Sequence, residues 1–471
     1  FLLLMGVSHL TSNNRSNETF FSGNRRSPWV VVAIGMIGAS LSGVTFVSVP
    51  GMVKDINMSY MQTVIGFAFG YVVIAYVLLP IYYRLGLTSI YTYLERRIGP
   101  YAYKTGASFF ILSRTIGSAV RLYLVAVILQ TFIFDKWNIP FIITIILILG
   151  MIWLYTYRSG IKTIVWTDLL QTITLITTLL LIVWMVFLKL NLSFDQMVVQ
   201  VWNSSYSKIF VWDDFFSTQN FFKQFFSGVF ISIVMTGLDQ DSMQKNLTCR
   251  NLKDAQRNMI SYGFGFVPIN FIFLVLGVLL IMFAQQEGIH LPTNGDDLLP
   301  MFAATGELGW WVFVFFSIGI IAASFSSADS ALTALTTSVC VDLLDIDKKT
   351  DQKKVKTRRI VHMLITIVFV AIIMLFRVLN NKSVIDAIYV IASYTYGPLL
   401  GLFAFGIFTK KDTWDRVVPY ICLLSPLLCW TLQSLCQQLW GYKLGYELLM
   451  INGLFTFVGL LIAGKMKRGS C

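Results

Sequence analysis

Residues 35–51 read GMIGASLSGVTFVSVPG, and they interrupt an apolar run over 29–50 that is long enough to cross a bilayer as a helix. Glycine, serine and threonine at this density weaken a continuous helix, and Pro50 lacks a backbone donor. An unwound helix exposes backbone carbonyls, which a membrane tolerates only where they line a cavity inside the protein. Close packing of small residues against a neighbouring helix is the alternative interpretation.

The rest of the chain has the composition of an integral membrane protein. Of its 471 residues, 56% are hydrophobic and 13% are charged, and the mean hydropathy is +0.71, unlike a soluble protein of this length. Apolar segments of spanning length recur along the whole sequence. We predict twelve complete spans, at 29–50, 60–83, 105–133, 139–157, 163–188, 224–244, 259–284, 309–341, 360–379, 384–408, 417–436 and 446–464.

Residues 1–10 are also apolar, and we interpret them as a further transmembrane helix cut short, which makes about 13 helices. A cleaved signal peptide is the alternative interpretation. We do not favour it, because no basic segment precedes the apolar run and no small-residue cleavage pattern follows it.

The basic residues indicate the orientation of the chain. Of the 36 lysines and arginines, 26 fall in alternate loops, Lys245 among them, 8 fall in the opposite loops and two lie within a span. Short loops rich in these residues stay in the cytoplasm. We therefore predict a multi-pass protein of the cell inner (plasma) membrane with a cytoplasmic C-terminus. The net charge of +12 is then explained by basic residues that face the anionic inner leaflet, and nucleic-acid binding is not needed to explain it.

A second interruption occurs in the sixth predicted span, where Ser227, Gly228, Ser232, Thr236 and Gly237 are small or polar. This span lies five spans after the first interrupted one. Paired interrupted helices mark substrate and ion sites in transporters built from inverted repeats, so the spacing favours a five-plus-five repeat.

Five motifs carry a resemblance to the sodium/solute symporters, which include proline, sugar, sialic acid, monocarboxylate, iodide and vitamin carriers. The motifs are Ser40-Leu-Ser-Gly-Val-Thr with Pro50-Gly51, Leu85-Gly-Leu-Thr-Ser-Ile-Tyr-Thr-Tyr-Leu-Glu-Arg-Arg97, Trp166-Thr-Asp-Leu-Leu-Gln171, Asp239-Gln240 with Gln244-Lys-Asn-Leu, and Ala322-Ala-Ser-Phe-Ser-Ser-Ala-Asp-Ser330. The resemblance implies an all-α, leucine-transporter-like fold. It places the first inverted repeat at 29–190, the second at 223–409 and two peripheral helices at 416–466.

The eighth predicted span carries residues suited to sodium. Sodium prefers oxygen ligands, which in a membrane are unwound backbone carbonyls, hydroxyls and carboxylates. Ala323, Ser326 and Ser327 share one helical face. The resemblance implies a first sodium site formed by the carbonyls of Gly38, Leu41 and Ala323 and by the two serine hydroxyls. A serine-rich packing face is the alternative interpretation.

Two aspartates, Asp168 and Asp329, are candidate ligands of a second sodium ion. In relatives with a second sodium ion, the aspartate of the Trp-Thr-Asp motif binds it with nearby hydroxyls, which implies a second site comprising Asp168, Ser326, Asp329 and Ser330. Asp168 could instead be an interfacial acid. Asp329 lies deep in a span, at a cost of about 3 kcal/mol or more, and stands where relatives have serine. It could strengthen the sodium site, titrate with protons, or pair with an arginine of the third span.

Arg114 and Arg121 are seven residues apart in the third span, so both lie along one helical face. A guanidinium binds a carboxylate bidentately, and in sialic acid carriers of the family an arginine on this helix does so. We predict an anionic substrate such as a monocarboxylate, sialic acid or a vitamin-like solute. A sugar or other neutral solute is the alternative, with the arginines paired to buried aspartates. Thr45, Gln62 and Tyr123 are further candidates to line the cavity.

Asp239, Gln240 and Gln244 end the sixth predicted span and start a polar cytoplasmic loop. We expect them to act as an inner gate or hinge. A helix cap followed by a solvated loop is the alternative interpretation.

A secondary symporter requires an ion site and a cavity, and the chain has residues for both. A transporter-like sensor would carry the same core fused to a signalling domain, and the short C-terminal tail does not favour it. No enzyme is expected, because the three histidines are scattered and no phosphate-binding or nucleophile motif stands out. We expect alternating-access symport of a small-molecule substrate with sodium ions, in the lipid bilayer, by a monomer that binds no other metal and no nucleic acid.

Overall fold

A computed structural model describes residues 2–11, 25–156, 161–304, 306–346, 351–379, 384–442 and 444–469. The described residues are helices joined by turns and loops, which confirms the predicted all-α class. The α-helices are α1 (Leu2–Thr11), α2 (Trp29–Ser40), α3 (Gly43–Ile56), α4 (Tyr60–Val73), α5 (Leu79–Leu85), α6 (Thr92–Arg97), α7 (Pro100–Leu129), α8 (Phe141–Thr156), α9 (Ile161–Lys189), α10 (Phe194–Asn203), α11 (Phe221–Ser232), α12 (Gln240–Asn246), α13 (Leu252–Glu287), α14 (Leu298–Ala304), α15 (Trp310–Ser338), α16 (Asp351–Leu379), α17 (Val384–Phe408), α18 (Val418–Trp440) and α19 (Leu448–Gly469).

Several of these helices are long and apolar enough to cross a membrane. In the described part of the chain eight segments qualify: Gly43–Leu85, Pro100–Leu129, Thr163–Lys189, Leu252–Glu287, Trp310–Leu343, Lys353–Val378, Val390–Phe408 and Asp415–Trp440. A bent pair, Phe221–Gly237 with Gln240–Asn246, makes a ninth, and α2, α8 and α19 supply shorter apolar helices. Each of the twelve predicted spans overlaps one of these segments. The total of twelve stays a prediction.

The first span is broken, as the sequence predicted. Helix α2 ends at Ser40, and α3 begins at Gly43. Leu41 has φ −78° and ψ 72°, and Ser42 has an extended backbone with φ −68° and ψ 169°. Because the last carbonyls of a helix have no partner within it, the break leaves the carbonyl end of α2 available for other ligands.

The second break divides the sixth span. A π-helical turn over Ile233–Gly237 extends α11, and the axis then bends by 70° into α12. Asp239 caps α12, since its Oδ1 accepts hydrogen bonds from the backbone N–H groups of Asp241 (3.0 Å) and Ser242 (3.3 Å). The side-chain cap therefore starts a new, buried helix, where the sequence had predicted the start of a cytoplasmic loop.

Glycines bring α2 against α9. A Cβ atom on Gly38 would lie 1.9 Å from Oγ1 of Thr172, and one on Gly35 would lie 3.0 Å from Cβ of Asp168. Only a bare backbone fits so close to α9. The small residues of the first span thus serve close packing as well as the break, and the packing places Asp168 beside the broken end of α2.

The broken spans are the first helices of the two predicted repeats, 29–190 and 223–409. Helix α15 packs against both α2 and α9, so the eighth predicted span lies beside the first break. Helices α18 and α19, in the region predicted as peripheral (416–466), pack against each other and against α17. Helix α1, which covers most of the predicted leading helix at 1–10, packs against α8 and α9.

Candidate cation and substrate site

Both helix breaks line one internal cavity of about 110 Å³. Ser40 and Ser42 reach it from the first break, and Thr236 and Ser242 reach it from either side of the second. Further walls come from α3, α4, α7, α13 and α17. The paired breaks that the sequence indicated therefore meet at one polar cavity between the helices.

Two of the five predicted substrate residues lie elsewhere. Gln62 donates from Nε2 to the Gln219 carbonyl (2.9 Å) and accepts at Oε1 from the Val211 N–H (3.1 Å), so it orders the loop before α11. Tyr123 packs edge-on against Phe141 and Phe376. Neither side chain lines the cavity, which corrects the sequence-based expectation for both. An aromatic or amide pattern does not reveal which helix face meets the cavity.

The remaining three predicted residues, Thr45, Arg114 and Arg121, do line the cavity. Arg114 forms an ion pair with Asp241, and its Nη1 lies 3.8 Å from Oδ2 of Asp239. These partners begin α12, so the predicted pairing of Arg114 with Asp168 or Asp329 is not what the structure contains. The bend after α11 brings the α12 carboxylates to Arg114 instead.

The three predicted gate residues tether α12 to its neighbours. Oδ2 of Asp239 accepts a hydrogen bond of 2.6 Å from the Tyr396 hydroxyl on α17. Gln240 donates to the Thr88 carbonyl (2.9 Å) in the loop before α6. Gln244 donates to Oγ1 of Thr337 (3.1 Å) on α15. All three gate side chains are buried, which excludes the solvated-loop interpretation.

Asp168 lies at the centre of the predicted second cation site. Its Oδ1 accepts a hydrogen bond of 2.6 Å from Oγ of Ser326, and its Oδ2 lies 2.8 Å from Nζ of Lys245. Oγ of Ser330 lies 3.5 Å from the same Oδ2. Since Asp168 is fully buried in the protein, its alternative interpretation as an interfacial acid is wrong.

Asp329 adjoins this group through hydroxyl contacts. The Tyr155 hydroxyl donates to its Oδ2 at 2.7 Å, and Oγ of Ser330 donates to its Oδ1 at 3.2 Å. The structure thus brings together all four residues predicted for the second site: Asp168, Ser326, Asp329 and Ser330.

The predicted first sodium site retains an unused hydroxyl. Among the described residues, buried Oγ of Ser327 has no hydrogen-bond partner, and an unsatisfied buried polar atom costs about 1–3 kcal/mol. Ala323 lies one helical turn earlier on α15, and the broken end of α2, with Gly38 and Leu41, packs against the same helix. An oxygen-only donor set with one unpaired hydroxyl suits a sodium ion.

Sequence reasoning missed Lys245 and Tyr155. Lys245 had been counted as a loop residue, yet it is buried and contacts Asp168. Its position four residues after Asp241 on one helical face was the available signal. Tyr155 lies near the end of the fourth predicted span, and nothing in its sequence surroundings indicated a carboxylate partner.

The chain matches the model of the sodium:solute symporter family over residues 20–415. It is 25% identical over 432 residues to the sodium/sialic acid symporter SiaT of Proteus mirabilis, covering 87% of this chain and 83% of that protein. It is 24% identical over 477 residues to the sodium/sialic acid symporter NanT of Aliivibrio fischeri, covering 97% and 90%. Identity to the human sodium-coupled monocarboxylate transporter 2 is 25%, over 85% of this chain and 65% of that protein.

The fold is similar to that of a solved structure. A substrate-bound, outward-open Na⁺-coupled sialic acid symporter superposes with a TM-score of 0.84 at 22% identity, covering 99% of this chain and 96% of the other. This likeness confirms the leucine-transporter-like fold that the resemblance implied.

Proposed function

The chain belongs to the sodium:solute symporter family, and from this premise we propose that it couples the transport of a small organic carboxylate to sodium. The observation that carries the proposal is Arg121, which lines the internal cavity alongside Arg114. Arg114 forms ion pairs with two carboxylates of the α12 region. We assign substrate binding to Arg121 because it lines the cavity and a guanidinium binds a carboxylate through two parallel hydrogen bonds.

The size of the cavity bears on the substrate. Its volume is about 110 Å³, whereas a cavity of about 150 Å³ accommodates benzene. In this conformation the chamber suits a small carboxylate better than a nine-carbon sugar acid. The Thr45 hydroxyl is placed to hydrogen-bond a polar substituent of the substrate, and the Tyr60 and Phe67 rings form an apolar part of the cavity wall. A monocarboxylate is accordingly the substrate class that we place first.

Sodium couples to substrate through the broken end of α2. The first sodium site uses the carbonyls of Gly38 and Leu41 with Ala323, Ser326 and Ser327 on α15. The neighbouring residues Ser40 and Ser42 line the substrate cavity. An ion that fixes this backbone also shapes the cavity, and by linkage each ligand then raises the affinity for the other to the same degree.

Alternating access follows from the two repeats, 29–190 and 223–409, rocking about the central cavity. Asp239, Gln240 and Gln244 act as the inner gate, because together they tie α12 to α15, to α17 and to the loop before α6. Opening toward the cytoplasm requires these hydrogen bonds to break.

The protein works in the cell inner (plasma) membrane with its C-terminus in the cytoplasm. The excess of lysine and arginine in alternate loops supports this orientation. The cavity and all residues proposed for the ion sites come from one chain, and we propose on this basis that the monomer is the transporting unit. Its partners are the substrate, sodium and lipid, and no nucleic acid is involved.

Ligand-induced thermal stabilisation of the purified protein tests this proposal. We expect one small carboxylate to raise the melting temperature in sodium but not in potassium, because ligand binding stabilises the folded state. Neutral sugars and amino acids of matched size should produce no shift. A sodium-dependent shift caused by a neutral solute, with none from any carboxylate, would rule out the anionic substrate.

A further inference from the structure

A buried lysine occupies the cation side of Asp168. Nζ of Lys245 lies 2.8 Å from Oδ2 of Asp168, and its side chain is 3% exposed. Oδ1 of the same carboxylate accepts the Ser326 hydroxyl at 2.6 Å. Both oxygens of Asp168 are therefore engaged from within the protein, at the position that the sequence resemblance assigned to a second sodium ion.

The Lys245 ammonium provides at Asp168 the positive charge that a bound cation would otherwise provide. It places one positive charge against a carboxylate that has no exposure to solvent, and a buried charge without a partner is strongly unfavourable. Lys245 also lies 3.9 Å from Oδ1 of Asp241, one helical turn earlier on α12. The same ammonium thus joins α9 to α12, next to a second carboxylate that pairs with Arg114.

We propose that the Lys245 ammonium replaces a second sodium ion at Asp168, so that each transport cycle carries one sodium ion with one substrate anion. This inference rests on the proposed function for its substrate, but the cation site itself does not depend on the substrate's identity. The remaining sodium ion binds at the first site, beside the unpaired hydroxyl of Ser327.

The charge carried in each cycle follows directly. One sodium ion and one monoanionic carboxylate sum to zero, so transport by the wild-type protein is electroneutral. Replacing Lys245 with methionine preserves an unbranched apolar stem of similar length and removes the ammonium. Asp168 then has a vacant cation position with the hydroxyls of Ser326 and Ser330 beside it, and a second sodium ion fills it.

Equilibrium binding of ²²Na⁺ to the purified, detergent-solubilised protein tests this inference without any substrate. We expect one sodium site per wild-type chain, two in Lys245→Met, and one in the double variant Lys245→Met/Asp168→Asn, which removes both charges. Lys245→Arg, which keeps the positive charge, should retain one site. Two saturable sites in the wild type would overturn the inference, even if Lys245→Met does not fold. A folded Lys245→Met with only one site would overturn it as well.

Transport measurements separate this inference from the proposed function. In proteoliposomes, uptake by the wild type should be unaffected by a potassium/valinomycin potential, whereas an inside-negative potential should accelerate uptake by Lys245→Met. Wild-type uptake that is sodium-driven and accelerated by an inside-negative potential would contradict one-to-one coupling while leaving the symporter function intact. If no carboxylate is taken up with sodium, the proposed function fails, and the ²²Na⁺ site count still decides the role of Lys245.

Discussion

Oγ of Ser326 donates a hydrogen bond of 2.6 Å to Oδ1 of Asp168, and this contact joins α15 to α9 at the point where the two predicted cation sites meet. Ser326 belongs to both sites. A change in the ligands of one site therefore alters the position or electron density of a ligand of the other. We expect substitutions at Asp168 to change sodium affinity at the first site, even though Asp168 is not among its ligands.

Arg121→Gln should abolish the carboxylate-dependent shift in melting temperature and raise the KM for the substrate. Hydrogen bonds to charged groups contribute about 1.5–3 kcal/mol each, so we expect a loss of roughly 10- to 100-fold or more. Arg121→Lys should recover part of the affinity, because it retains the charge without the bidentate geometry. Exposed Arg84 provides the control, and Arg84→Gln should match the wild type. Unchanged KM in Arg121→Gln would assign the arginine a structural role.

Ser327→Ala should weaken sodium binding without destabilising the sodium-free protein. The hydroxyl is buried and has no partner among the described residues, so its removal relieves an unsatisfied group and leaves the melting temperature in potassium unchanged or higher. The sodium concentration for half-maximal stabilisation should rise about tenfold, which corresponds to about 1.4 kcal/mol. Ser324→Ala is the matched control, since that hydroxyl bonds the Ile320 carbonyl within its own helix. Equal sodium responses in the two variants would exclude Ser327 as a ligand.

Tyr396→Phe should loosen the inner gate. It removes the 2.6 Å hydrogen bond to Asp239, which is worth about 1.5–3 kcal/mol because the acceptor is charged. Cys249, which follows α12, reports the opening. Burial raises the pKa of its thiol to about 12, so at pH 8 very little thiolate is present and alkylation of the closed state is slow.

We expect Tyr396→Phe to increase the alkylation rate of Cys249 by about tenfold, measured by mass spectrometry of its peptide. Tyr394→Phe is the control, because its hydroxyl bonds Gln433, away from α12. Similar Cys249 rates in the wild type and in Tyr396→Phe would mean that the Tyr396 contact does not hold the gate.

Gly66→Ala should destabilise the protein, because the added Cβ would lie 2.2 Å from the Phe225 carbonyl and push α4 away from α11. Overpacking of this kind costs about 1–3 kcal/mol, which should lower the melting temperature measurably. Gly150→Ala in α8 is the control, since a Cβ there meets nothing within 4 Å. A melting temperature for Gly66→Ala at or above that of Gly150→Ala would show that the helix contact is not tight.

The sequence predicted both helix breaks, because small residues within an apolar span leave a local composition signal. It also indicated the grouping of Asp168 with the serines of α15, through resemblance to a family. It did not reveal that Lys245 binds Asp168, since a pairing between distant helices depends on the bend at Asp239. The positions of Gln62 and Tyr123 were missed for a related reason: a spanning helix is apolar on several sides, so periodicity does not identify the face that meets a cavity.

Uptake driven by a sodium gradient in proteoliposomes tests whether the protein couples carboxylate transport to sodium. An inward sodium gradient should drive accumulation of a small carboxylate above its external concentration, and an equal potassium gradient should not. Arg121→Gln should abolish this accumulation, and Ser327→Ala should shift its sodium dependence to higher concentrations. Carboxylate uptake of equal extent in sodium and in potassium would contradict sodium coupling, and sodium-driven accumulation that survives in Arg121→Gln would contradict substrate binding by Arg121.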